Sequence, residues 1–370
     1  MKTITYILSN LDKALAFEWI SQELDSTRFQ LRFILINPGN SHLEEYFLTN
    51  KIPVDRVKYQ GKKDLPMAIY KVWQILRKTK SDVIHCHLLE ATLIGLTAGK
   101  LAGIKERIFT RHHSSSQHVY FPKAVWYDKY CNFLATRIVA ISKVVYDILV
   151  DWEKADPNKV VIIHHGFKLE SFSNVDLDQI IEIKNKYSLQ SKSPIIGVIS
   201  RYTIWKGIQY TIPAFEKLLP KYPNACLVLA NAKGEYEPEI KRLLSKLPLD
   251  SYREIAFESE LGALYKQFDV FVHVPIDYHS EAFGQIYVEA LAAKIPSVFV
   301  LSGIASDFVL NENNALTVDF KSTDQIYESI LRLLKDELLS NSLKENGEEI
   351  VKENFGLKRM IDQLENLYGL

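Results

Sequence analysis

Short runs of apolar, β-branched residues alternate along this chain with longer segments whose apolar positions recur every three to four residues. The short runs are Ile4–Leu8, Arg32–Ile36, Asp82–His85, Arg107–Thr110, Arg137–Ile141 and Val160–Ile163. A second series follows at Ile195–Ser200, Cys226–Ala230, Glu254–Phe257, Asp269–Val274, Ser297–Leu301 and Ala315–Val318. The longer segments include Asp64–Lys80, Ile208–Leu219, Ile240–Leu247 and Leu357–Leu367. Apolar strands separated by amphipathic helices predict parallel sheets covered on both faces, an α/β architecture. Between the two series, His165–Asp178 reads HGFKLESFSNVDLD and is polar and aperiodic, so it is predicted to link two domains. Two Rossmann-like sheets follow, with ligands outside the carboxyl ends of the strands, in a cleft between the domains.

Composition narrows the class. The 370 residues are 47% hydrophobic and 24% charged, which excludes collagen, a disordered tail and a disulfide scaffold. The three cysteines, Cys86, Cys131 and Cys226, are too few and too odd in number for a disulfide framework and fit a reducing compartment. The first apolar stretch is broken by Ser9, Asn10, Asp12 and Lys13, so it reads as a strand rather than a signal peptide. No run approaches the ~18 apolar residues of a membrane span. The expected location is cytoplasmic, including a peripheral position on the inner face of the plasma membrane.

The net charge of zero conceals an asymmetry. Residues 1–170 hold 24 basic and 17 acidic side chains, a surplus of 7 positive charges that the remainder cancels. A basic half suits an anionic partner. Within it, Lys71, Arg77, Lys78 and Lys80 accompany the apolar positions of Asp64–Lys80, a pattern suited to an anionic membrane surface or to an ordinary solvated helix face. No reader motif or arginine-rich run points to nucleic acid.

The sharpest chemical signal is Ser280–Pro296, SEAFGQIYVEALAAKIP. Here Glu281 precedes a helix whose first turn is expected to hold Phe283 and Gly284, and Glu289 lies further along it. Fully helical spacing would separate the carboxylates by ~12 Å, too far for a glycosidase pair but suited to the two polyol ends of one extended ligand. Amides at the helix start could hold an anion between them. Arg201 and Lys206, in GVISRYTIWKG, are placed to neutralise a diphosphate at a strand's carboxyl end. In the basic half, His85 and His87 end one strand, and His112 and His113 follow another. Substrate contact and structural roles both fit them, whereas zinc lacks third and fourth ligands at a recognised spacing. His164 and His165 are read as shaping the interdomain turn.

These segments resemble the retaining glycosyltransferases of family 4. The resemblance runs through DVIHCH, IFTRHH, IVAISK, IIHHGF, SRYTIWKG, EAFGQIYVEALAAKIPS and SGIASDFVLNENNAL. It implies the GT-B fold: a Rossmann-like acceptor-side domain over 1–168, joined by a C-terminal helix over 355–370 that crosses back to it, facing a nucleotide-sugar-binding domain over 169–354. It implies transfer of a sugar, with retention and without metal, from a nucleotide-diphospho-sugar to a glycan or a polyprenyl- or other lipid-linked acceptor in cell-surface polysaccharide synthesis. The donor is a substrate, and no cofactor is expected. By resemblance, Arg201 and Lys206 bind the diphosphate, Glu281 the donor sugar, Glu289 the ribose, Phe283 and Gly284 offer backbone contacts, and His112 is the cleft histidine; catalysis falls to Glu281, Arg201, Lys206 and His112. The sequence departs from the family at Ser9–Leu15, which lacks the usual glycine-rich loop, and at Ser200, Asn231–Gly234 and Lys294. An epimerase or hydrolase of the same architecture, or a non-catalytic sugar-nucleotide-binding subunit, are the competing readings.

Overall fold

A computed structural model describes residues 1–369. The chain forms two compact units, Met1–Phe167 with Leu357–Leu370, and Lys168–Gly356.

The first unit is built on a seven-stranded parallel sheet. Its strands are β1 (Lys2–Ser9), β2 (Phe29–Asn37), β3 (Val54–Lys58), β4 (Val83–His87), β5 (Glu106–Arg111), β6 (Arg137–Ala140) and β7 (Val160–Ile162), in the order β3-β2-β1-β4-β5-β6-β7. Chain order reverses between β1 and β4. Such a switch point opens a crevice at the strand ends. The helices needed below are α1 (Leu15–Glu23), α2 (Leu65–Thr79), α3 (Leu89–Leu101) and α4 (Val125–Leu134). Helix α2 packs on α3, and α3 on α4.

The second unit has a six-stranded parallel sheet of β8 (Ile195–Ile199), β9 (Cys226–Ala230), β10 (Tyr252–Ile255), β11 (Val270–His273), β12 (Ser297–Phe299) and β13 (Leu316–Thr317). The order is β10-β9-β8-β11-β12-β13, with its switch point between β8 and β11. Helices α5 (Ile208–Leu218) and α6 (Gln285–Ala292) follow the β8 and β11 ends.

The final helix, α7 (Leu357–Gly369), belongs to the first unit. Leu357, Met360, Ile361, Leu364 and Leu367 are buried in that unit's core, at the spacing of one helical face. Tyr368 adds hydrogen bonds beneath the sheet: its hydroxyl meets that of Tyr6 and lies 2.6 Å from His85 Nδ1.

Three local expectations need correction. Strand β3 has no counterpart in the sequence reading, because Asp55, Arg56 and Lys58 break its alternation. The aperiodic stretch at 165–178 contains a helix at Glu170–Ser173 and the start of another at Leu177–Lys186. Four residues are too few to reveal a helical period. Helix α6 starts at Gln285, so Phe283 and Gly284 precede it rather than form its first turn. Gly284 caps it with φ 82°, a left-handed conformation open to glycine. Glu281 and Glu289 are therefore not related by helical spacing.

Candidate active site

In the second unit the chain leaves β8 through Ser200 and Arg201, makes a tight turn over Ile204–Lys206, and enters α5 at Gly207. Gly207 has φ 75°, and a Cβ there would lie 1.7 Å from the Val274 carbonyl oxygen. This turn is therefore pressed against the backbone that leaves β11, and Ile276 N–H donates to the Trp205 carbonyl at 3.1 Å. The approach carries Lys206 to Glu281: Nζ donates to Oε1 at 2.5 Å. His273, the last residue of β11, has Nε2 at 3.0 Å from the same oxygen.

Glu281 is further fixed by its own N–H, which donates to Ser302 Oγ at 3.2 Å. Behind it, Ile304 N–H donates to the Phe283 carbonyl at 2.8 Å. Burial alone would raise the Glu281 carboxyl, but the Lys206 ammonium and His273 bring it down to about 2. The carboxylate is thus ionised and acts only as an acceptor at neutral pH. Desolvation lowers His273 against the pull of Glu281, and its buried Nδ1 has no hydrogen-bond partner among the described residues.

Glu289 has a different setting. It is 4% exposed on the inner face of α6 and accepts from Tyr265 Oη and Gln285 Nε2, both at 3.0 Å. Burial outweighs these two hydrogen bonds and raises its carboxyl to about 7. Arg201 is exposed and makes no ion pair among the described residues. The structure thus joins Lys206 and Glu281 directly and brings the Phe283–Gly284 turn beside them. Arg201 stays open on the same loop, and Glu289 is held in its own polar pocket. His273 and Ser302 are additions. The only sequence signal for His273 was a polar residue ending an otherwise apolar strand.

In the first unit, register places His87 opposite Thr110, so His87 and His112 emerge side by side at the ends of β4 and β5. His87 Nδ1 lies 3.0 Å from His112 Nε2. Tyr6 stacks on His87 with centroids 5.2 Å apart, and His165 stacks on His112 at 5.4 Å. Burial, then neighbouring imidazoles, hold His87 and His112 well below the ordinary histidine range. They are neutral, polar rings suited to sugar hydroxyls.

Of the histidines read as candidates for substrate contact, His85 is a core residue. Its Nδ1 meets Tyr368 and its Nε2 meets Thr110 at 2.8 Å, and burial lowers it to about 3. His113 instead faces Asp128, with Nε2 3.3 Å from Oδ2. Asp128 and Glu153 both pair with the buried Arg111, at 3.0 and 2.6 Å.

The model of Glycosyl transferases group 1 matches residues 179–350, and that of Glycosyltransferase Family 4 matches residues 20–171. The chain belongs to glycosyltransferase family 4. It is a glycosyltransferase with the GT-B fold of that family. Among curated relatives, the capsular polysaccharide biosynthesis glycosyltransferase CapM of Staphylococcus aureus is 25% identical over 311 residues, 82% of this chain and 80% of that protein. The UDP-Gal:alpha-D-GlcNAc-diphosphoundecaprenol alpha-1,3-galactosyltransferase of Escherichia coli is 22% identical over 81% of this chain and 78% of its own length. Among solved structures, Anabaena HepE in complex with UDP-glucose superposes with a TM-score of 0.84 at 19% identity, over 99% of this chain and all of that one. The Lys206–Glu281 cluster falls within the group 1 match, and His87 and His112 within the Family 4 match.

Proposed function

We propose that this family 4 enzyme transfers a sugar, with retention of configuration and without a metal, from a nucleotide-diphospho-sugar to a glycan or lipid-linked acceptor in cell-surface polysaccharide synthesis. The observation that carries the reading is the Lys206–Glu281–His273 cluster at the switch point of β8 and β11. Lys206, with Arg201 beside it on the same loop, supplies cations for a leaving diphosphate. The start of α6, where Gly284 brings no side-chain cap, adds backbone amides. Glu281 is ionised and already hydrogen-bonded, so its role is to accept sugar hydroxyls rather than to attack the anomeric carbon.

The step follows. The bond from the anomeric carbon to the diphosphate oxygen breaks as that oxygen withdraws its electron pair, giving an oxocarbenium-like centre. The acceptor hydroxyl oxygen attacks from the same face, and its proton passes to the departing phosphate. Glu289, held by Tyr265 and Gln285, is assigned to the nucleotide ribose, and Phe283 and Gly284 to backbone contacts beside the sugar. His112 is assigned to the acceptor side, where a neutral imidazole can hold a hydroxyl without competing for its proton.

The relatives' names support this range of substrates: one is a capsular polysaccharide enzyme and one uses a diphosphoundecaprenol acceptor and forms an alpha linkage. No helix among the described residues is long and apolar enough to cross a membrane. The exposed cations Lys71, Arg77 and Lys78 of α2 support a peripheral place on an anionic inner membrane face. Product analysis by NMR tests the stereochemistry: an alpha-linked donor should give an alpha-linked product in the presence of a chelator. A beta product would refute retention, and activity lost to the chelator would refute metal independence.

A further inference from the structure

Strand β11 is apolar up to its last residue: Val270, Phe271 and Val272 are fully buried, and His273 follows at 1% exposure. Its ring meets Tyr287 of α6 edge-on, with centroids 4.8 Å and planes 74° apart, and its register partner on β12 is Phe299. Held in this way, Nε2 lies 3.0 Å from Glu281 Oε1. The charged groups that face the ring are Glu281 and Lys206. An ionised carboxylate only accepts, so the hydrogen-bond network assigns the ring proton to Nε2 and leaves Nδ1 a bare acceptor. That Nδ1 is buried and has no partner among the described residues. An apolar side chain would close the strand without an unsatisfied buried atom. The gain that offsets this cost lies at Nε2.

While Lys206 donates to Glu281 Oε1, the carboxylate has both a cation and a hydrogen bond without the histidine. The same ammonium is the one assigned to the leaving diphosphate, and its flexible four-carbon stem lets it turn. Glu281 is 7% exposed, so a carboxylate that loses its cation there is short of both water and opposite charge. Ser302 holds only the Glu281 main chain, through the N–H, and leaves the carboxylate to rotate. His273 cannot follow Lys206, because its ring is wedged against Tyr287 at the end of a central strand. Both donors use Oε1, which leaves the second oxygen for a sugar hydroxyl.

We propose that His273 is a positioning residue: its Nε2–H keeps the Glu281 carboxylate fixed while Lys206 turns from it to the diphosphate. The proposal rests on the donor-site reading above. The histidine acts through Glu281 alone, and its proton stays on Nε2 throughout, so no bond forms or breaks at the ring. A neutral donor suits the role. It adds no charge while Lys206 is paired with Glu281, and it keeps the carboxylate hydrogen-bonded once the ammonium has turned away. Burial favours that neutral form of the ring against the pull of Glu281.

The test measures binding of uridine, guanosine and adenosine diphosphates to the full chain, each against the monophosphate of the same base, which lacks the phosphate that bears the sugar. For the base that the parent binds, His273→Leu should weaken the diphosphate about tenfold or more and the monophosphate by less than about twofold. General damage to the unit would weaken both alike. His273→Gln, whose amide nitrogen can take the place of Nε2, should restore most of the preference for the diphosphate. The proposal is overturned if His273→Leu keeps the parent's preference, the result expected if Lys206 bridges carboxylate and phosphate with its three donors. Equal weakening of both nucleotides, or a His273→Gln that behaves as His273→Leu does, overturns it too. Ring 15N spectra of the parent add a test that no variant's folding can obscure. The Nε2–H tautomer of His273 should persist with and without the diphosphate, and the Nδ1–H tautomer in either state overturns the proposal. A parent that binds none of the nucleotides overturns the donor-site reading itself; a parent that binds one while His273→Leu matches it removes only the positioning role.

Discussion

Lys206 Nζ donates to Glu281 Oε1 at 2.5 Å, with both side chains largely shielded from water. The pair joins the end of β8 to the chain after β11, 75 residues apart. Removing one member of such a pair strands a buried charge, whereas removing both does not. Lys206→Met should therefore destabilise the chain by about 3–5 kcal/mol, and Lys206→Met/Glu281→Gln should recover most of that loss. Turnover should fall about 100- to 1000-fold in both, because the phosphate-side cation is absent from each. Chemical denaturation read beside a transfer assay checks this. Single and double variants of equal stability would show that the two residues are not coupled.

Glu289 makes stability depend on pH. Its carboxyl is raised from 4.5 to about 7 by burial, so between these values the folded chain keeps a proton that the unfolded chain releases. Stability should fall as pH rises through that window, by about 3 kcal/mol in total, and level off above it. In Glu289→Gln this slope should vanish. A ligand whose hydroxyls donate to the carboxylate favours its charged form, so donor binding should tighten across the same window. Parallel melting curves of parent and variant from pH 4.5 to 8 would contradict the assignment.

Gly207→Ala should disrupt both fold and site. The position has φ 75°, and the new Cβ would lie 1.7 Å from a backbone oxygen that cannot swing aside. A cost of at least about 3 kcal/mol is expected, with loss of donor-induced stabilisation as the turn lifts Lys206 away from β11. Wild-type melting and donor response in the variant would mean that the close approach at Val274 is not needed.

His87 positions His112 through the 3.0 Å contact between their rings. Because the two lie in the first unit, His87→Phe should lower turnover by roughly tenfold or more while leaving donor-induced stabilisation intact. Kinetics combined with a thermal-shift titration separates the two effects. A loss of donor response equal to the loss of turnover would place His87 elsewhere in the chemistry.

What the sequence revealed depended on how local each feature is. The two parallel sheets were legible because apolar strands and amphipathic helices repeat over many residues. The α7 face was legible for the same reason. Strand β3 escaped because it is short, half-exposed and charged. The start of α6 was misplaced because Phe283 and Gly284 fit a helical pattern, while the left-handed conformation of Gly284 is a backbone property with no periodic signature. Lys206 and Glu281 stood out through their family context, yet their ion pair depends on the Gly207–Val274 approach, which no spacing reports. For His85 the sequence leaves a structural role and substrate contact both open, because the partner that fills its Nδ1, Tyr368, lies 283 residues away. His273 was passed over for the converse reason: it ends a buried strand, and only the returning Glu281 loop turns it toward the site.

The central claim is that Arg201, Lys206 and Glu281 form the donor site of a glycosyltransferase. Thermal-shift titration with uridine, guanosine and adenosine diphospho-sugars in the presence of a chelator tests it most directly. The account predicts that one nucleotide class stabilises the parent by mass action, about 2.7 kcal/mol at a hundredfold excess over Kd. It also predicts that this response is lost in Arg201→Ala and in Lys206→Met/Glu281→Gln, in which no buried charge is stranded, without loss of folding. Absence of stabilisation by every nucleotide sugar, or an undiminished response in both variants, would contradict it.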